Sequence, residues 1–283
     1  MEYPKISIVT PSFNQGQFLE ETILSVITQG YPNLEYIIID GGSTDHSVEI
    51  IRKYEQHLSY WVSEPDKGMY YALQKGFEKS TGEIMGWLNS DDMLHPKSLF
   101  TIAEFLTKPG IEWIQGVPTF YDGQGRCYNI ISGRRWSRLK YFLNKGEFIQ
   151  QESTYWTRNL WDKAGSYIST QYKLAGDFEL WGRFFEHARL YTPNYLIGGF
   201  RFSSENQLST DKVTYANEMK IILEEKIERA GESWKKKIKN IHRLEKLRNF
   251  AVVSRLLNCS FVIRRIDAQI VRLMDFPERI SLK

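Results

Sequence analysis

Four aspartates stand where short apolar runs give way to turns, and a fifth opens a helical pattern. Asp40 follows Leu34–Ile39 and precedes Gly41-Gly42, and Asp66 lies in Ser63-Glu64-Pro65-Asp66-Lys67-Gly68 after Tyr60–Val62. Asp91 and Asp92 close Asn89-Ser90-Asp91-Asp92 after Glu83–Leu88, and Asp177 opens the helical pattern Asp177–His187. Adjacent carboxylates repel each other, and a divalent cation relieves that repulsion. Oxygen donors that leave room for phosphate oxygens suit Mg²⁺ or Mn²⁺ better than zinc. A lone carboxylate within reach of a hydroxyl can act as a general base. Each residue also has a plainer role: Asp40 as a turn residue, Asp91-Asp92 and Asp177 as charges favoured at helix N-termini. The repetition of polar and acidic endings after successive strands is what points to a site. No Cys-x-x-Cys, His-Glu-x-x-His or Gly-x-x-x-x-Gly-Lys-Ser/Thr pattern competes for the role.

The elements that must position these residues alternate. Ile6–Thr10, Leu34–Ile39, Tyr60–Val62 and Glu83–Leu88 read as strands, the second apolar almost throughout, as a strand buried on both faces should be. Between and after them, Gln17–Gln29, Asp45–His57, Tyr70–Lys79 and His95–Leu106 read as helices, with Ser43 or Thr44 as N-cap for the second. Four such pairs predict an α/β fold, a mostly parallel sheet with helices on both faces. Ligands of such sheets bind outside the carboxyl ends of the strands, where Asp40, Asp66, Asp91 and Asp92 lie. Further on, Thr119–Ile131 reads as a hairpin, Asn159–Ala164 as a helix and Leu196–Phe202 as a strand, and the chain is mainly helical from Thr214.

The bulk properties exclude several classes. With 283 residues, 42% hydrophobic and 25% charged, the chain can bury a large core. A net charge of +3 does not suit a nucleic-acid binder. Cys127 and Cys259 are too few for a disulfide framework and fit a reducing compartment. No signal peptide and no run of about 18 apolar residues is present, so a cytoplasmic location is expected.

The motifs taken together resemble the family-2 inverting glycosyltransferases of bacterial polysaccharide biosynthesis, whose nucleotide-binding domain is the Rossmann-like type called GT-A. The resemblance covers about residues 5–210. It is carried by Thr10-Pro11-Ser12-Phe13-Asn14, Ile39-Asp40-Gly41-Gly42-Ser43-Thr44-Asp45, Ser63–Gly68, Leu88-Asn89-Ser90-Asp91-Asp92 and Ala175-Gly176-Asp177-Phe178-Glu179-Leu180-Trp181. It implies a nucleotide-sugar donor, a UDP-sugar first, with Pro11, Phe13, Asn14 and Asp40 at base and ribose and Asp66 closing the base pocket. It further implies Mn²⁺ or Mg²⁺ held by Asp92, with Asp91 on the ribose or a metal-bound water. Asn89 stands at the metal motif's leading position, where the family usually carries Asp. Asp177 matches the family's catalytic base, and Lys67, Arg201 or another basic residue would assist the departing diphosphate, the sequence not choosing among them. Glu152, in Gln150-Gln151-Glu152-Ser153-Thr154, and Trp156 match the acceptor side, with plain packing an equal alternative for Trp156. His95, His187 and His242 show no ligand spacing and read as surface or capping residues. A sugar-1-phosphate nucleotidyltransferase, or a nucleotide-sugar binding module without catalysis, is the alternative; the first would need a glycine-rich basic loop that Thr10–Gln15 lacks.

Residues 231–283 carry 13 basic side chains against 5 acidic, whereas the whole chain carries 37 against 34. The resemblance and the helical pattern from Thr214 together give the expected organisation: a catalytic domain, residues 1–215, and a basic helical extension, residues 216–283. Within the extension Ile241, Leu244, Leu247, Leu256, Ile263, Ile266 and Ile270 recur at helical intervals among Arg243, Lys246, Arg248, Arg255, Arg264 and Arg265. Such a pattern fits helices packed on the domain, or an amphipathic surface formed by residues 240–283 on an anionic membrane, which would suit a lipid-linked glycan acceptor.

Overall fold

The computed structural model describes residues 3–131, 134–144, 146–202, 211–253 and 260–281. Its main sheet has the order β3-β2-β1-β4-β9-β6. Strands β1 (Ile6–Ser12), β2 (Leu34–Asp40), β3 (Tyr60–Ser63) and β4 (Ile84–Trp87) are parallel. Helices α1 (Gly16–Ile27), α2 (Ser47–Lys53) and α3 (Met69–Lys79) connect them. The continuous apolar runs are explained by burial on both faces. Ile6, Ile8, Tyr36 and Ile38 pack with α1 and α4 (Ser98–Leu106), whereas Val9, Ile37, Ile39, Met85 and Trp87 pack with α3, α6 (Arg158–Lys163) and α7 (Gly176–His187). The chain builds outward from β1 to β3 and then returns to place β4 on the other side of β1. The strand order reverses between β1 and β4, and the crevice beyond their carboxyl ends is the place for a ligand.

The second half holds both expected and unexpected strands. β9 (Thr154–Thr157) runs antiparallel between β4 and β6 (Trp113–Gln115), carrying Trp156 into the sheet. A second sheet, ordered β5-β10-β7-β8, joins β5 (Met93–Leu94), β10 (Gly198–Arg201) and the expected hairpin of β7 (Thr119–Tyr121) and β8 (Cys127–Ile130). Gly198 is required here, because a Cβ on it would lie 2.0 Å from the Glu152 carbonyl oxygen. That close approach brings β10 back over the Asp91-Asp92 turn.

The expected helix cap at Ser43 or Thr44 is corrected. The Ser43 hydroxyl donates to Asp40 instead, and α2 begins at Ser47, whose N–H donates to Asp45 at 3.0 Å. His95 is likewise no surface residue. It is 9% exposed, its Nε2 lies 2.8 Å from Thr119 Oγ1, and burial lowers its pKa.

Three helices follow: α8 (Lys212–Ala230), α9 (Glu232–Val253) and α10 (Ser260–Met274). The expected boundary between residues 215 and 216 falls inside α8. Met219 and Ile222 of α8 belong to the core, Trp234 of α9 meets Phe142 of α5 (Arg138–Phe142) edge-on at 5.3 Å, and Ile241 is fully buried. Farther along, Leu247, Phe250, Val262 and Val271 are exposed, while Arg255 and Leu256 lie outside the described residues. No described helix is long and apolar enough to cross a membrane.

Candidate active site

The β1 and β2 ends are stitched into one loop pair. Asn14 adopts φ 50°, and its side-chain oxygen accepts from Thr44 N–H at 2.8 Å while its own N–H donates to Ser43 Oγ at 2.8 Å. Asp40 is fully buried and gathers the loop: Oδ2 accepts from the N–H groups of Gly42 and Ser43 and from Ser63 Oγ, and Oδ1 accepts from Ser43 Oγ. A carboxylate has about four acceptor positions, so Asp40 acts first on its own loop, with remaining capacity at Oδ1. Asp66 is exposed and accepts from Gly68 N–H at 2.7 Å, and its carboxylate lies against Gly41, where a Cβ would stand 3.0 Å from Oδ2. Pro11 is buried in β1, while the Phe13 ring is 60% exposed above the loop pair. An open aromatic face beside bent backbone is a suitable platform for a nucleoside base.

Beyond β4 the chain turns through Asn89–Asp92. Asp92 is fully buried; Oδ1 accepts from Arg201 N–H at 2.8 Å and Oδ2 from Asn89 Nδ2 at 3.2 Å. Burial, with the neighbouring charges of Asp91 and Glu152, pushes the Asp92 carboxyl well above its usual range. Asp91 is half-buried. Arg201 does not face the crevice as expected of a phosphate ligand. Its 1%-exposed guanidinium donates to the Asp91 carbonyl at 2.7 Å and to Glu21 Oε2 at 2.6 Å, fastening the acidic turn to α1. Lys67 remains exposed beside Tyr71.

Glu152 sits in the short 3₁₀ turn Gln151–Ser153 just before β9. It is 3% exposed, and its Oε1 has no hydrogen-bond partner. Burial first, and then the charges of Asp91 and Asp177, push it up to about 8. Asp177 occupies the first turn of α7. Burial pushes it up to about 7, against the opposing effect of backbone N–H groups and of the Tyr70 and Tyr215 hydroxyls. The Tyr70 hydroxyl lies 3.5 Å from Asp177 Oδ1, accepts from Asp177 N–H at 3.3 Å and donates to the Leu174 carbonyl at 2.6 Å. Asp92, Asp91, Glu152 and Asp177 therefore share one continuous negative field, although they come from three separate stretches of chain.

Among the described residues no three His, Cys, Asp or Glu side chains could hold a metal ion unaided. The donor chemistry nevertheless fits a hard divalent cation that completes its shell with ligand oxygens. The site offers buried Asp92, half-buried Asp91 and two unpartnered buried oxygens, Asn89 Oδ1 and Glu152 Oε1.

A sequence profile described as glycosyl transferase family 2 matches residues 7–161, more than half of the chain. The chain belongs to glycosyl transferase family 2. A Bacillus subtilis protein named for teichuronic acid biosynthesis, the glycosyltransferase TuaG, is 34% identical over 108 residues, covering 36% of this chain and 42% of TuaG. The chain spans about half the length of the curated relatives it matches. Residues 1–349 of S. aureus TarS, solved with UDP-GlcNAc, superpose with TM-score 0.67 at 16% identity, covering 95% of this chain and 81% of that one. The mannosyltransferase PcManGT of Pyrobaculum calidifontis, solved with GDP-Man and Mn²⁺, gives TM-score 0.62 at 17% identity, covering 96% and 81%. These likenesses establish the GT-A architecture.

On this family-2 frame the fold brings Asp91, Asp92, Glu152 and Asp177 together, with the Asp40 and Asp66 loops beside β1. It does not bring Trp156 to the crevice. That side chain is fully buried, stacked or edge-on with Trp87, Trp161 and Trp181 at 5.6, 6.3 and 5.7 Å, so packing is its role. Tyr70, Tyr215 and Glu21 were missed from sequence. Each is an ordinary helical residue whose partner lies far along the chain, and periodicity carries no signal for that.

Proposed function

We propose that the chain is an inverting, divalent-cation-dependent transferase that moves a hexosyl or N-acetylhexosaminyl group from a UDP-sugar to a hydroxyl. The acceptor would be a glycan or lipid-linked glycan of surface polysaccharide synthesis. The observation that carries the reading is Asp177, a carboxyl held near neutrality by burial and fixed by tyrosine hydroxyls, in the same field as the Asp91-Asp92 turn. A base poised near working pH is what proton removal from a sugar hydroxyl requires.

In this reading Asp177 accepts the acceptor's proton as that oxygen attacks the anomeric carbon opposite the diphosphate, and the configuration inverts without a sugar–enzyme bond. Phe13 and Asp66 receive the base, with Asn14 and Asp40 shaping the loops around it. Asp92 would hold the cation, and Asp91 the ribose or a water. The cation, when bound, neutralises charge developing on the departing diphosphate. Glu152, protonated through much of the neutral range, can donate a hydrogen bond to an acceptor hydroxyl. UDP-GlcNAc bound to TarS and Mn²⁺ with GDP-Man in PcManGT support the donor class and the ion.

The test is a thermal-shift screen of UDP-glucose, UDP-galactose, UDP-GlcNAc and GDP-mannose with and without Mn²⁺, because ligands of the folded state raise its melting point. Stabilisation by at least one UDP-sugar, larger with Mn²⁺, is expected. NMR of the product anomer tests inversion. No stabilisation by any of them counts against the transferase reading.

Peripheral membrane contact belongs to the same proposal. Leu247 and Phe250, 48% and 69% exposed, stand among exposed Arg243, Lys246 and Arg248. Apolar and basic groups on one surface suit an anionic bilayer. Co-sedimentation with vesicles containing phosphatidylglycerol should fall in the Leu247→Ser/Phe250→Ser double variant; equal binding by both proteins, or none by the parent, removes membrane contact.

A further inference from the structure

The family-2 match ends at residue 161, so neither α7 nor α8 lies within it. The base nevertheless depends on α8 at several points. Glu218 Oε1 accepts from Lys173 N–H at 2.8 Å, and Oε2 accepts from the N–H groups of Leu174 and Ala175 at 2.9 and 2.8 Å. Those three residues are the last before α7. One carboxylate collecting three successive backbone donors fixes the direction in which the chain enters that helix. Three residues earlier on α8, and thus on the same face, the Tyr215 hydroxyl neighbours the Asp177 carboxylate. Two turns beyond Glu218, the buried Lys226 ammonium donates to Glu179 Oε1 at 2.9 Å, two residues past the base. Met219 and Ile222 set α8 into the core between these contacts.

We propose that α8 completes the seat of Asp177, with Tyr215 and Glu218 as positioning residues for the carboxylate and for the backbone that leads to it. The inference rests on reading Asp177 as the base. Two hydroxyls then bracket that carboxylate, Tyr70 from α3 and Tyr215 from α8. The acidic groups around it are Glu152 from the 3₁₀ turn and Glu218 from α8, and Tyr141 of α5 faces the same region. Hydroxyls from two helices beside one carboxylate restrict its rotation. If α8 merely covered the apolar side of α7, the Tyr215 ring would matter and its hydroxyl would not.

The experiment compares full-length Tyr215→Phe, Glu218→Gln and Glu224→Gln with the parent chain. Nucleoside diphosphate release is followed from UDP-glucose, UDP-galactose, UDP-GlcNAc and GDP-mannose with Mn²⁺, alongside calorimetric UDP binding and thermal melts. Tyr215→Phe and Glu218→Gln should each lower kcat about ten- to a hundredfold, the worth of a hydrogen bond to a charged group. The Kd for UDP should stay within about twofold in both. Glu224, exposed on another face of α8, should be replaceable at full rate. Parental kcat in both Tyr215→Phe and Glu218→Gln, or a fall confined to donor KM, overturns the proposal. Should Tyr215→Phe fail to fold, the kcat of Glu218→Gln decides alone. Failure of the base reading itself has a separate signature, turnover retained by Asp177→Asn.

Discussion

Replacing Gly176 with alanine should displace the base without altering it chemically. A methyl at this position would stand 2.8 Å from Cε2 and Cζ of Tyr70, against 3.4 Å where ordinary contact begins. The ring must retreat by about 0.6 Å, and at 4% exposure it has no open side to move into. Its hydroxyl is tied to the Leu174 carbonyl and the Asp177 N–H, so the movement passes to the base. Overpacking of this kind costs about 1–3 kcal/mol, and the better helix propensity of alanine returns up to about 1 kcal/mol. The net loss of about 0–3 kcal/mol lowers Tm by no more than about 12 °C, at roughly 4 °C per kcal/mol for a chain of this size. Misplacement of a reacting group by a fraction of an ångström to 1 Å lowers kcat by about ten- to a hundredfold. Nucleoside diphosphate release at saturating donor, UDP calorimetry and a thermal melt measure the three quantities. Parental kcat together with an unchanged Tm would refute the claim that Tyr70 is wedged between Gly176 and the base.

Three further outcomes follow from the same geometry. Activity should rise with pH and level off above about 7, because the base must be ionised and its carboxyl is pushed up to about 7; a flat profile from pH 5 to 8 would contradict the assignment. The folded chain holds the Asp177 proton more tightly than the unfolded chain, whose value is 3.8. Its stability should therefore fall as pH rises from about 4 to 7, and Asp177→Asn should gain about 1–3 kcal/mol at pH 8 and none at pH 4 by urea melts. Arg201→Met removes the ties to the Asp91 carbonyl and Glu21 and should weaken Mn²⁺ binding, read by EPR of free Mn²⁺, about ten- to a hundredfold; unchanged affinity would separate that guanidinium from the acidic turn.

The first half of the fold was legible because β1, β2 and β4 are buried and carry short apolar cores, and because each ends in turn residues. Asp40 and Asp91-Asp92 were legible for the same reason, standing at the ends of those strands, whereas Asp177, at the start of a helix, and Glu152 were picked out by the family resemblance. β9 and β6 escaped because Thr154–Thr157 and Trp113–Gln115 are short and carry polar residues that meet partners inside the sheet. Trp156 shows the limit most clearly. Its place next to the acceptor motif suggested contact with a sugar, but antiparallel pairing turns the ring into the aromatic core. The extension divided for a physical reason too. Met219, Ile222 and Ile241 are buried against α7 and α5, whereas Leu247 and Phe250 lie beyond that support. A boundary at residue 215 therefore cuts through α8, whose Met219 and Ile222 belong to the core.

The central claim, that Asp177 removes the proton while other residues bind the nucleotide, is tested most directly by comparing the parent chain with Asp177→Asn for UDP binding and for turnover of the stabilising UDP-sugar. The account predicts a Kd for UDP with Mn²⁺ within about twofold and a turnover loss of at least about a hundredfold. Turnover by Asp177→Asn within about tenfold of the parent would contradict it.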